Sequence, residues 1–213
     1  MFCNVGKQIG AGLILDYAKR FGFYSIPPLE TPRNERAPSG LYSHAKLYDP
    51  KHPEFQVDPG RLAFGQERML ATPLQMAMVA ATVANNGVVM RPYIVERVVD
   101  PGGKTVQKFH PHKLGTAIKP ETAAALNVMM QAVMTGGTGT GVQIPGVKTA
   151  GKTGTAETGV AHTNTTWFIA FAPADAPKVA VAVALENQHG FGATTAGPIA
   201  RSIMEALLHV PSN

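Results

Sequence analysis

Cysteine is almost missing from these 213 residues, and Cys3 stands alone. A single thiol excludes an internal disulfide and a cysteine-based metal site, and it leaves the redox compartment open. Long apolar runs are missing too. No stretch approaches the roughly 18 residues that a membrane span needs, and Met1-Phe2-Cys3-Asn4 has neither the basic start nor the apolar stretch of a secretion signal. Runs of like charge are also absent. The net charge of +5 and pI near 9.4 come from scattered Lys and Arg, not from the arm or stripe that contacts nucleic acid. What is present is ordinary: 45% apolar and 15% charged residues describe a globular chain, one domain or most of one.

Ile9, Leu13, Tyr17 and Phe21 recur at helical spacing almost from the first residue, and Phe21-Gly22-Phe23 ends the pattern. From 25 to 59 prolines, charges and small polar residues predict a long irregular surface excursion. Thr72-Pro73-Leu74-Gln75 opens a helix, with Thr72 as cap, Pro73 at the first helical position and Gln75 completing a capping box. Met76, Val79, Ala80 and Val83 form its expected buried stripe, and Asn85-Asn86-Gly87 stops it. Residues 93–99 and 104–109 flank Asp100-Pro101-Gly102-Gly103 as a hairpin. A helix from Pro120 places Leu126, Met129, Met130 and Val133 on one side, a core stripe rather than a cofactor box.

Three strand candidates follow closely, at 148–157, 166–172 and 178–185. Their short links imply antiparallel neighbours. In the third, Val179, Val181, Val183 and Leu185 alternate with alanines, with no charge, proline or glycine to guard an edge. A final helix, about 194–208, carries Ile199, Ile203 and Leu207 at every fourth position with Met204 and Leu208 beside them, and is expected to pack on that sheet. The fold class is α/β of the α+β type, an antiparallel sheet packed with helices.

The chemistry concentrates at Ala150-Gly151-Lys152-Thr153-Gly154-Thr155-Ala156-Glu157. Gly146 to Thr153 satisfies the phosphate-loop pattern G-x-x-x-x-G-K-[ST] at every position. A phosphate loop, however, must leave a buried strand and enter a helix whose amides face the phosphates. Pro145 breaks the approach, and Gly154 and Gly159 stand where the first helical turns belong. The alternative is the K-T-G strand of serine acyl transferases. There a lysine raises the local positive potential beside a serine nucleophile, a threonine hydroxyl donates to the substrate carboxylate, and a glycine lets substrate backbone pair with the strand.

The surroundings decide between the two. Phe64-Gly65-Gln66, Thr72-Pro73-Leu74-Gln75-Met76-Ala77, Ala84-Asn85-Asn86-Gly87, Gly137-Thr138-Gly139, Gly151 to Glu157, Trp167 to Pro173 and Ala196-Gly197-Pro198-Ile199-Ala200 occur in an order and spacing that resembles class B penicillin-binding proteins. The resemblance, to the C-terminal part of the transpeptidase domain, covers nearly the whole chain. It implies a β-lactamase-like sheet with helices. It also implies a peptidoglycan D,D-transpeptidase parent acting through an acyl-serine on D-Ala-D-Ala stem peptides, inhibited by β-lactams and needing no cofactor. A D,D-carboxypeptidase or penicillin-sensing relative, and a non-catalytic fragment, are the other readings. By the same resemblance Lys152, Thr153 and Gly154 bind substrate, the Thr155 N–H supplies one arm of the oxyanion hole, and Glu157 and Trp167 support them. The parent belongs on the extracytoplasmic face of the membrane, held by an anchor outside this chain.

The departures are equally informative. The family's S-x-x-K and S-x-N are expected upstream of Met1, in an N-terminal part that would also bring two strands to lie beside 178–185. Val181 is then a position where a charge would guard that strand. The only S-x-x-K string, Ser43-His44-Ala45-Lys46, lies in the irregular excursion and is not expected to hold a nucleophile. His110 and His112, with His44, His52, His162, His189 and His209, show no i, i+4 ligand spacing and read as surface residues, so no metal is expected.

Overall fold

The computed structural model describes residues 1–161 and 163–210, so His162 lies outside the described residues. The first apolar period forms two helices, α1 (Phe2–Ile9) and α2 (Ala11–Arg20), because Gly10 at φ 80° breaks the path between them. Helix α2 buries Ala11 and Leu15 against Leu41, Val57 and Leu62. Ile9, Leu13 and Tyr17, which carry the sequence period, stay exposed together with Phe2 and Val5. The period thus marks a part-exposed apolar row, with Arg20 lying over the Tyr17 ring, and only its last member, Phe21, packs into a core cluster.

The 25–59 stretch is only partly a surface excursion. It forms β1 (Gly40–Ser43), β2 (Lys46–Leu47) and α3 (Pro53–Gln56), and runs into α4 (Pro59–Leu62). Leu41 is fully buried, and Val57 joins the same core. The prolines do not forbid this burial, because Pro53 and Pro59 sit at helix starts where a missing N–H leaves nothing unpaired. Asp58 Oδ1 accepts from the Gly60 and Arg61 N–H groups at 2.8 and 3.1 Å, capping α4. Strand β3 (Met69–Leu70) completes a small sheet in the order β2-β1-β3.

Helix α5 (Pro73–Ala84) begins as its sequence predicts, with the Gln75 N–H donating to Thr72 Oγ1 at 3.1 Å. The second half of the capping box is not made. Gln75 is buried, and its Nε2 donates instead to Phe21 O at 2.8 Å, tying α5 to the end of α2. The buried set is Gln75, Met78, Ala80, Thr82 and Val83, with Met76 and Val79 only half-buried. A single stripe fails to describe this helix because it is packed from more than one side. Asn86 (φ 53°) and Gly87 (φ 84°) end it.

Strand β4 (Val88–Met90) follows, then the exposed hairpin of β5 (Arg97–Val99) and β6 (Thr105–Lys108), then β7 (Lys113–Thr116), which pairs back with β4. The hairpin is where its turn residues place it, with shorter arms. Helix α6 (Pro120–Gly136) buries Ala123, Met130 and Met134. Met129 departs from the expected stripe and points to solvent, as does Val128, because the contact face runs through Met130 and Met134.

The central sheet is antiparallel in the order β10-β9-β8, from β8 (Ala150–Glu157), β9 (Asn164–Ala172) and β10 (Val179–Gln188). Helix α7 (Ala196–Leu208) covers one face through Ala196, Ala200 and Met204, which meet Phe168, Ala170, Ala172, Val181 and Val183. On the other face Ala150, Phe171 and Ala174 pack with Val83 of α5 and Met130 of α6. Ile199, Ile203 and Leu207 do not make the sheet contact; they form a second exposed apolar row. Val181 is 7% exposed and faces the core, so it is unsuited to carry a guarding charge. Strand β10 has no partner on its outer side among the described residues.

Candidate active site

Strand β8 forms the opposite edge of the sheet and pairs along its full length with β9, from Ala150 with Phe171 to Glu157 with Asn164. Lys152, Thr153, Gly154 and Thr155 therefore lie in one extended run whose outer side no described strand occupies. Their register partners are Ile169, Phe168, Trp167 and Thr166. This disposes of the phosphate loop, since the Gly-Lys-Thr string is neither a loop nor the start of a helix.

Two glycines in β8 are fixed by close packing. A Cβ on Gly151 would stand 2.9 Å from Met134 Sδ and 3.1 Å from Phe168 Cζ, and one on Gly154 would stand 3.0 Å from Trp167 Cβ. The Lys152 side chain is exposed, and its Nζ donates to Thr153 O at 2.6 Å. Lys152 makes no ion pair with any described residue, so it is a cation open to an incoming anion. The Thr153 hydroxyl lies 2.8 Å from that of Thr138, in the turn after α6. Trp167 is half-buried opposite Gly154, and Glu157 is exposed at the strand end.

The segment between β10 and α7 presses on this strand. A Cβ on Gly192 would lie 2.6 Å from Gly154 O and 2.2 Å from Trp167 O. Gly197 N–H donates to Gly192 O at 2.8 Å, and Thr195 Oγ1 lies 2.7 Å from the buried Thr166 Oγ1. Sequence reading assigned no role to Gly192 or Thr138. Gly137-Thr138-Gly139 was visible as a motif, whereas the approach of Gly192 to Gly154 has no local signal.

Ser43 and Lys46 sit opposite one another across a two-residue turn, with His44 and Ala45 at φ 48° and 59°. They are not one helical turn apart, and nothing aims Lys46 at the Ser43 hydroxyl, which lies 3.2 Å from His44 Nδ1. His110 and His112 are exposed between β6 and β7. Among the described residues no three His, Cys, Asp or Glu side chains converge as metal ligands would.

An antiparallel sheet with helices on both faces, presenting Lys-Thr-Gly along an open edge, defines the class as a serine acyl-transferase fold. A model of the penicillin binding protein transpeptidase domain matches residues 1–205, and the chain belongs to that family. Peptidoglycan D,D-transpeptidase PbpA of Mycobacterium tuberculosis is 37% identical over 216 residues, covering 97% of this chain and 41% of that protein. Stage V sporulation protein D of Bacillus subtilis is 31% identical over 212 residues, covering 95% of this chain and 31% of its own length. Penicillin-binding protein A from M. tuberculosis, solved as a penicillin G acyl-enzyme complex, superposes with a TM-score of 0.82 at 35% identity, over 97% of this chain and 45% of that one. The chain thus spans less than half the length of these relatives.

Proposed function

We propose that this chain is the substrate-binding portion of a peptidoglycan D,D-transpeptidase, completed by a segment that carries S-x-x-K and S-x-N. The observation that carries the reading is the placement of Lys152, Thr153 and Gly154 on the free edge of the sheet. An extended D-Ala-D-Ala terminus can add to that edge as a further strand, with Gly154 presenting no side chain to its backbone. Lys152 then faces the serine and the substrate carboxylate with positive charge, and the Thr153 hydroxyl donates to the carboxylate.

In the reaction the serine oxygen gives its proton to the supplied S-x-x-K lysine and attacks the penultimate D-Ala carbonyl, and the Thr155 N–H and the N–H of the serine donate hydrogen bonds to the oxyanion that develops. The C-terminal D-Ala leaves as an amine after protonation, and the amine of a second stem peptide resolves the acyl-serine. A β-lactam follows the first half and stops at the acyl-enzyme. The part-exposed apolar rows at Phe2, Val5, Ile9, Leu13 and Tyr17 and at Ile199, Ile203 and Leu207, with the side of β10 that no described strand pairs, are the surfaces the completing segment would bury. The parent would work at the extracytoplasmic face of the membrane, where its substrate lies. No helix among the described residues is long and apolar enough to cross a membrane.

The test joins the chain to an S-x-x-K and S-x-N segment as one polypeptide, here termed the completed domain, and measures labelling by a fluorescent penicillin. The expected result is a covalent adduct on the supplied serine that unlabelled D-Ala-D-Ala substrate competes away. A folded completed domain that takes no label would overturn the reading.

A further inference from the structure

The turn that follows α6 is built to deliver one side chain. Gly137 and Gly139 fold tightly back on the helix: a Cβ on Gly137 would lie 2.9 Å from Val133 Cα, and one on Gly139 would lie 2.7 Å from Met134 Sδ. The Gly139 N–H donates to Val133 O at 2.9 Å, locking the turn. Between these two glycines only Thr138 has a side chain, and its hydroxyl lies 2.8 Å from that of Thr153. Helix α6 packs along β8 through Met134, which lies close to Gly151, so the turn and the strand are held as one unit.

Each hydroxyl has one proton and two lone pairs. If Thr153 donates to Thr138, it shows only lone pairs at the strand edge and repels an anion. If Thr138 donates to Thr153, the Thr153 proton is free to point outward. We infer that Thr138 is a positioning residue for recognition of the substrate's terminal carboxylate: it donates to Thr153 Oγ1 and thereby directs the Thr153 proton to the anion. The two bonds in series also polarise one another, which strengthens the outer one. This rests on the reading of Lys152-Thr153-Gly154 as the strand that binds the carboxylate-bearing terminus.

The test compares benzylpenicillin, which carries a carboxylate, with its methyl ester, which does not, on the completed domain. In Thr138→Val, close to threonine in shape, acylation by benzylpenicillin falls about fivefold to tenfold, the loss expected for one hydrogen bond. The fall resides in the concentration dependence and not in the limiting rate. Acylation by the ester changes less than about twofold, because no carboxylate is there to feel the missing donor. Thr138→Ser keeps the hydroxyl and stays near the wild-type rate with both compounds. Equal losses on the two compounds, no loss on either, or a serine variant as slow as the valine variant overturns the inference while the strand assignment stands. Should Thr138→Val fail to fold, Thr138→Ala against Thr138→Ser makes the same comparison. A wild-type domain that neither compound acylates brings down the strand assignment itself, and the inference with it.

Discussion

Gly192 rests directly on Gly154, so that a Cβ on Gly192 would stand 2.6 Å from Gly154 O and 3.1 Å from Gly154 N. The backbone of the β10–α7 connection thus packs directly on the Lys-Thr-Gly strand, the strand proposed to receive the substrate. In Gly192→Ala either the connection lifts or β8 bends. Overpacking of this kind costs about 1–3 kcal/mol. The completed domain should melt several degrees lower by calorimetry, and its acylation by penicillin should slow. An unchanged midpoint would mean that the connection yields freely and does not set the strand's position.

The chain alone should take no covalent label from penicillin. Ser43 and Lys46 face each other across a tight turn, and the other serines lack a lysine one helical turn away. Mass spectrometry after prolonged incubation should show unmodified protein. An adduct mapped to Ser43 would assign this hairpin a chemistry its geometry does not suggest.

In the completed domain Lys152→Ala should slow acylation by about a hundredfold or more, since a charge-assisted contact in a closed site contributes a few kcal/mol and ~1.4 kcal/mol is tenfold. The Lys152 side chain is exposed and makes no ion pair with a described residue, so thermal stability should change little. Stopped-flow acylation and a melting curve separate the two effects. A near-normal rate would move the site away from β8.

Strand β10 has no partner on its outer side among the described residues and carries no charge between Val179 and Leu185, which makes it a template for pairing with another copy. Val181 and Val183 lie under α7, so a lysine there would wreck the core; Ala184, half-buried on the opposite face, is the better place. Ala184→Lys should raise the soluble, monomeric fraction of the isolated chain in size-exclusion chromatography. Val181→Lys should lower it. A wild-type chain that elutes as a monodisperse monomer and melts cooperatively would show that the open edge is harmless.

Local chemistry determined a good deal of this protein. Thr72 and Pro73 start α5, Asn86 and Gly87 stop it, and Asp100 to Gly103 turn the hairpin, because caps and turns are settled within a few residues. The three strands near their observed bounds, the Lys-Thr-Gly string on the first of them and the family itself were legible in the order of short motifs. Which apolar face is covered was not. Helix α7 has two such faces, Ala200 and Met204 on one and Ile199, Ile203 and Leu207 on the other, and the sequence period favours the larger side chains. The sheet takes the face of Ala196, Ala200 and Met204, where two alanines let the helix approach closely and Met204 fills the remaining space. Close backbone approach also sets the contact of α1 with α4, where a Cβ on Gly6 would stand 2.2 Å from Pro59 O. Gln75 leaves its capping box for Phe21, Leu41 is buried within a proline-rich stretch, and Gly192 finds Gly154 for one shared reason: each partner lies far off along the chain, and only the tertiary structure brings the two together.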